Sequence, residues 1–157
     1  MEILVENYDK LHEMEETIKF LHWNNSDSAT EKAIECLAMD SDMDLNLLIQ
    51  PVLGKGYWDN CAEVLRRKGY PIIEPVTKKL FEWLQDMNWP GSETIYKLLK
   101  TYPKICFMKY YINAIMSAIT DKDEDWLYWL ARFVHDEFVS VNDFEDVDIY
   151  NRLIELS

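Results

Sequence analysis

Glycine and proline are scarce in this sequence, four and five among 157 residues. So few chain-breaking positions exclude a many-stranded β protein with its frequent turns. The three cysteines, Cys36, Cys61 and Cys106, are odd in number and widely spaced, with no CxxC pair. That excludes a disulfide framework or a thiolate zinc motif, and Cys61 and Cys106, set among apolar residues, read as buried free thiols in a reducing cytoplasm. The three histidines are dispersed at positions 12, 22 and 135. His12-Glu13-Met14-Glu15-Glu16 places a glutamate where HExxH needs its second histidine. No G-x-S-x-G elbow exists, and Gly54-x-Gly56 lacks the rest of a phosphate-binding fingerprint. The acidic triplets at Asp40/Asp42/Asp44 and Asp121/Asp123/Asp125 lack the glycine and glutamate of an EF-hand and suit helix N-termini instead. No cofactor or metal site is expected, and the chain reads as a non-enzyme. Long apolar runs are absent too: the longest, Ile105 to Ile119, is interrupted by Lys109 and Asn113. With no basic, apolar leader at Met1-Glu2-Ile3-Leu4-Val5-Glu6, the expectation is a cytoplasmic protein without a membrane segment.

Acid and aromatic residues are plentiful. The net charge is −13, and it is unevenly placed. Residues 1–50 hold 12 acids and 3 bases, residues 51–120 hold 6 and 10, and residues 121–157 hold 11 and 3. Acidic ends therefore flank a mildly basic middle. Such a chain repels nucleic acid overall, which needs clustered lysine and arginine, and suits a basic protein partner.

The apolar periodicity is helical nearly throughout. It predicts helices over about 9–23 (Leu11, Met14, Ile18, Leu21), then from a capping box at Ser28-Ala29-Thr30-Glu31, then near 44–50 and over 58–68. Gly69 would close the last of these as a C-cap. Ile73, Val76, Leu80, Trp83, Leu84 and Met87 form the next stripe, and Ile95, Leu98, Leu99 and Tyr102 the one after it. A long helix over about 104–120 carries Ile105, Met108, Ile112, Ile115, Met116 and Ile119 in register. A wide apolar face over 124–138 follows, with Asp121 or Asp123 as its cap, and Asn142-x-x-Glu145 starts a final helix. The expectation is a single all-α domain over 1–157, of eight or nine helices, with 1–44 a helical extension of a 45–157 core. Tryptophans at 23, 58, 89 and 126 are spaced by the length of a two-helix repeat, which points to a HEAT-like α-α superhelix. An irregular helical bundle is the competing arrangement.

Between two of these stripes lies Trp83-Leu84-Gln85-Asp86-Met87-Asn88-Trp89-Pro90-Gly91, a helix end, a tight corner and a helix start. Pro90 suits the first turn of the second helix, where its missing N–H has no intrahelical partner to lose. Trp83 falls in the apolar register and belongs to the core. Asp86 and Asn88 read as residues that cap or cross-link the corner, with a partner-facing groove as their alternative role. Trp58, Asp59, Trp89, Trp126 and Trp129 join them as candidate corner or interaction residues, since surplus tryptophan on one surface marks an interface.

The segment Glu82 to Pro90, with Pro75 upstream and Trp126-Leu127-Tyr128-Trp129 downstream, resembles a bacterial family designated domain of unknown function 5071. The resemblance spans about residues 45–155. It implies an all-helical, HEAT-like fold and carries over no catalytic or binding residue. The functional expectation is a non-catalytic protein-binding module with a basic partner, in its most specific form an immunity protein that neutralises a toxin. The alternatives are a HEAT-like nucleic-acid-binding or processing protein using the basic middle segment, or an adaptor or scaffold.

Overall fold

A computed structural model describes residues 2–156, apart from the side chains of Ile3 and Asn7. Among these residues the fold is all-helical, with no strand. Helix α1 spans Glu2–Ile18 and tightens into a 3-10 turn at Lys19–Leu21; α2 spans Asp27–Met39. Helix α3 (Trp58–Lys68) follows two short 3-10 turns, Leu45–Leu48 and Lys55–Tyr57. Then come α4 (Thr77–Trp83), α5 (Ser92–Leu99), α6 (Lys104–Thr120), α7 (Glu124–Leu130), α8 (Arg132–His135) and α9 (Val147–Ile154). Neighbouring helices pack in succession, α2 on α3, α3 on α5, α4 on α6 and α6 on α7. This order is consistent with the HEAT-like superhelix that the tryptophan spacing implies.

Helices α3 and α6 begin and end where the periodicity places them. Gly69 closes α3 at φ 64, and its amide donates to the Leu65 carbonyl at 2.9 Å. Elsewhere the boundaries move, each for a local reason. The N-cap of α2 lies two residues before the expected one, because Ser26, not Ser28, accepts from the Ala29 amide. Asn25 fixes that start by donating to the carbonyls of Lys19 and His22. The expected 124–138 helix breaks at Ala131 and ends at His135. There the Phe133 carbonyl accepts both Phe138 and Val139 amides while Glu137 turns left-handed at φ 60, a closure of the Schellman type. Asn142 and Glu145 do not form a box. Ser140 and Asp143 cap a 3-10 turn at Val141–Asp143, and Asp146 caps α9 by accepting from Asp148.

The core is strongly aromatic. Phe81, Phe107, Tyr111 and Phe133 are buried and meet at ring-centroid separations of 5.0 to 6.2 Å. Each such pair adds about 0.5–1.5 kcal/mol beyond the area it buries. Tyr111 donates to the Leu130 carbonyl at 2.7 Å and burial holds its phenol well above the ordinary value. Among the described residues no buried side-chain polar atom lacks a hydrogen-bond partner.

This aromatic core decides which face of α6 turns inward. The inward stripe is Phe107, Tyr111, Ala114, Ile115 and Ala118. The expected register is therefore corrected: Ile105 is 90% exposed and Met116 45%, Met108, Ile112 and Ile119 are half-buried, and only Ile115 of that stripe is core. Two apolar stripes compete for one core, and the one carrying two large aromatic rings buries more area and takes it.

The segment from Leu21 to Asp40 is tied to α3. Asn60 donates to the Leu21 carbonyl at 2.7 Å, and Arg67 forks onto the Glu31 carboxylate at 2.7 and 3.1 Å. Lys68, buried on α3, donates to the Asp40 carbonyl at the end of α2 at 2.6 Å. Burial lowers the Lys68 ammonium from its ordinary pKa, against a smaller pull from Asp40. No helix of the described residues is long and apolar enough to cross a membrane.

Candidate functional site

Five of the seven candidate residues come together at the corner between α4 and α5. Trp58, the first residue of α3, stands edge to face with Trp83 at 6.0 Å and with Trp89 at 5.8 Å. Two of these three indoles are tied to backbone: Trp58 Nε1 donates to the Pro51 carbonyl at 3.1 Å, and Trp83 Nε1 to the Pro90 carbonyl at 3.0 Å. Asp59 accepts the Gly91 amide at 2.6 Å. Asp86 accepts from the backbone and side-chain amides of Asn88 at 2.8 and 3.0 Å, an Asx turn that shapes the corner. Ser92, fully buried, donates from its hydroxyl toward the carbonyls of Asp86 and Trp83.

The expected place of Pro90 is corrected here. It precedes the helix; Gly91 is the N-cap at φ 84, and α5 begins at Ser92. A Cβ at Gly91 would lie 2.9 Å from both Ala62 Cβ and the Trp58 carbonyl, so only glycine permits this approach. The stripe from Ile73 to Met87 likewise contains only a short helix, because Pro75 sits in a 3-10 turn at Glu74–Val76 before α4.

Lys55 escapes the sequence reading, and its ammonium stands 5.8 and 5.9 Å from the ring centroids of Trp58 and Trp89. Its signal was a cation three residues before a tryptophan in a glycine-flanked loop. Cation–π attraction at an exposed site of this kind is worth about 0.5–1 kcal/mol. The corner is thus occupied by its own contacts: a lysine on two indoles, a carboxylate on a backbone amide, and an Asx turn.

Trp126 and Trp129 lie elsewhere and apart from each other in role. Trp126 is buried on α7 and donates to the Phe81 carbonyl at 3.0 Å; its own amide donates to the N-cap Asp123 at 2.9 Å. Trp129 is half-buried, edge to face with Tyr128 at 5.0 Å, in a shallow hollow of about 330 Å³ with Arg132, His135 and Leu156. Arg132 is already engaged, forking onto Glu93 at 2.7 and 3.1 Å and covering the Tyr96 ring at 4.0 Å.

Three arginines, two of them from the basic middle of the sequence, are engaged in the same way. Arg66 and Arg67 meet Glu63, Arg67 also meets Glu31, and Arg132 meets Glu93. Among the described residues no group of three or more His, Cys, Asp or Glu side chains is placed to hold a metal ion.

Two helices, α1 and α6, also carry apolar residues at the surface. On α1, Leu4, Tyr8 and Leu11 share one face and are 74%, 71% and 41% exposed. Alongside α6 runs a groove of about 600 Å³. Ile105, Met108 and Ile112 floor it from α6, and Ile149 closes it from α9.

These features define an all-α domain built of successive helix pairs. The model of the domain-of-unknown-function family DUF5071 matches residues 55–156, and the chain belongs to that family. The match begins at Lys55, so it takes in the whole tryptophan corner and every helix from α3 onward. Neither a curated protein nor a solved structure matches the chain.

Proposed function

We propose that this protein is a non-catalytic protein-binding domain whose partner is a basic protein, and that its most specific role is that of an immunity protein neutralising a toxin. The observation that carries this reading is uncovered apolar surface on an acidic molecule, most plainly Ile105 at 90% and Leu4 at 74% exposure. Single exposed apolar residues are ordinary, but aligned ones on a helix face mark interaction surface. The net charge of −13 adds long-range attraction for a basic partner and speeds encounter at low salt.

The net charge of −13, together with the engagement of Arg66 and Arg67 by glutamates, favours this over a nucleic-acid role, which needs clustered free basic side chains along a phosphate track. Affinity capture on the immobilised protein from its native cells, at low and then raised ionic strength, tests the reading. The expected result is a basic protein retained at low salt and released as salt rises. Retention of no protein at low salt would overturn it.

A further inference from the structure

We infer that the groove between α6 and the segment leading into α9 is a docking site for an amphipathic helix of a partner protein, with basic side chains along one edge of its apolar stripe and acidic ones along the other. The inference rests on the protein-binding reading and adds to it the place, the conformation and the charge pattern of the partner.

The apolar part comes from the second stripe of α6, which the core leaves out. Ile105, Met108, Ile112 and Met116 recur at the spacing of one helix face and extend over three turns, about 16 Å at 1.5 Å per residue. A partner helix of about 12 residues matches that length. Unbranched, polarisable methionine in two of the four positions suits a surface that must adapt to another side-chain set. Ile149 adds an apolar side chain to the groove from α9.

The charge pattern comes from the walls. On the α6 side stands Lys109, exposed. The opposite wall carries Asp143, Glu145 and Asp146. None of these four side chains forms an ion pair among the described residues, so the walls do not neutralise each other across the groove. Lys104, also on the α6 wall, forms no ion pair either but is held by the Phe138 carbonyl and ring, whereas Lys109 has only the Tyr110 ring beside it at 5.2 Å. An occupant with lysine or arginine toward Glu145 and Asp146, and a carboxylate toward Lys109, satisfies both walls at once. Because the walls differ in sign, turning such a helix end for end would set like charges together, so the pattern also fixes its direction.

A second copy of this chain is a poorer occupant. The other uncovered stripe belongs to α1, which carries six acids and one lysine and would set carboxylates against the acidic wall.

The test uses the whole protein and a synthetic, end-blocked 14-residue helical peptide with a leucine stripe, lysines along one edge and glutamates along the other. Binding is followed by methyl NMR shifts and by titration at low and raised salt. The expected result is shifts at Ile105, Met108, Ile112 and Ile149, with those of Leu4 and Leu11 unmoved, and weaker binding at raised salt. Ile105→Asp, at a position too exposed to affect folding, should weaken binding at least about tenfold. Glu145→Lys combined with Asp146→Asn, which keeps the α9 cap, should weaken it similarly and remove most of the salt dependence.

A peptide of the same composition scrambled to destroy the stripe should not bind. Equal binding of the scrambled peptide, or no effect of Ile105→Asp, would overturn the inference. So would shifts confined to α1, which would leave the protein-binding reading standing at another surface. Concentration-dependent dimerisation abolished by Ile105→Asp would assign the groove to a second copy and overturn the partner inferred here.

Discussion

The carboxylate of Asp59, in the first turn of α3, accepts the backbone amide of Gly91 at 2.6 Å across 32 positions of sequence. This one bond ties the start of α3 to the N-cap of α5 at the corner. Asp59→Ala removes a charged acceptor from a backbone donor buried under Trp58 and Trp83. The expected cost is about 1.5–3 kcal/mol, read as a lower urea midpoint with unchanged slope. Asp59→Asn keeps an acceptor oxygen and should lose less than half of that. Equal losses for the two variants would show that the bond does not carry the corner.

Gly91→Ala attacks the same corner from the other side. The residue sits at φ 84, and the new methyl would meet Ala62, the Trp58 carbonyl and the Trp83 ring at 2.9 to 3.0 Å. Left-handed strain and overpacking together should cost about 2–4 kcal/mol. Tryptophan fluorescence should change with stability, because the Trp83 indole lines this contact and Trp58 packs on it. Gly54→Ala, where a Cβ meets nothing within 4 Å, isolates the strain at φ 132 from the crowding.

Trp126 and Trp129 stand on one helix and should behave oppositely. Trp126→Phe leaves the buried Phe81 carbonyl without its indole donor, at an expected cost of about 1–3 kcal/mol. Trp129→Phe touches no such bond and should stay within about 0.5 kcal/mol of the parent. Thermal unfolding of the pair distinguishes them in one experiment.

The thiols should label in a fixed order. Cys36 is exposed and reacts first. Cys106, half-buried beside the Glu74 carboxylate, has its pKa raised by burial and by that hydrogen bond, and reacts more slowly. Cys61 is fully buried and pushed up to about 12, so its labelling should wait for unfolding and track stability in denaturant. A Cys61 that labels as fast as Cys36 in the native protein would contradict the packing of α3.

Acid should unfold the protein through a small set of carboxylates. Glu63 is held below its ordinary pKa chiefly by the Arg66 hydrogen bond, Glu93 by that from Arg132, and Glu31 by that from Arg67. Their folded pKa values are depressed, so the unfolded chain binds more protons in the acid range. The stability they supply is complete above the unfolded carboxylate pKa and is lost as pH falls through the folded values. The urea midpoint should be flat above about pH 6 and fall below about pH 5. Glu93→Gln should flatten that fall, and a slope unchanged in the variant would remove Glu93 from the set.

Much of this architecture is legible in the sequence, and the misreadings are instructive. The periods of α3 and α6 fix their limits because apolar spacing and end residues agree there, Gly69 closing one and Pro103 opening the other. Caps were misplaced by two to four residues at Ser26 and Asp146, where several polar side chains in a row could each accept the first free amide. At the corner the candidate residues Trp58, Asp59, Asp86, Asn88 and Trp89 do gather. Lys55 on the two indoles was not legible, because its partners include one 34 positions away.

By itself the sequence determined the helical class, the membership of the corner and the acidic balance, because spacing, turn residues and charge are local or additive properties. Only the tertiary structure decided that Arg66, Arg67 and Arg132 are spent on glutamates, and that Ile105 and Met116 stay outside. Helix α6 carries two apolar stripes that periodicity alone ranks equally. Which of them is core depends on the rings of Phe81 and Phe133 brought from other helices, and the other stripe is left at the surface.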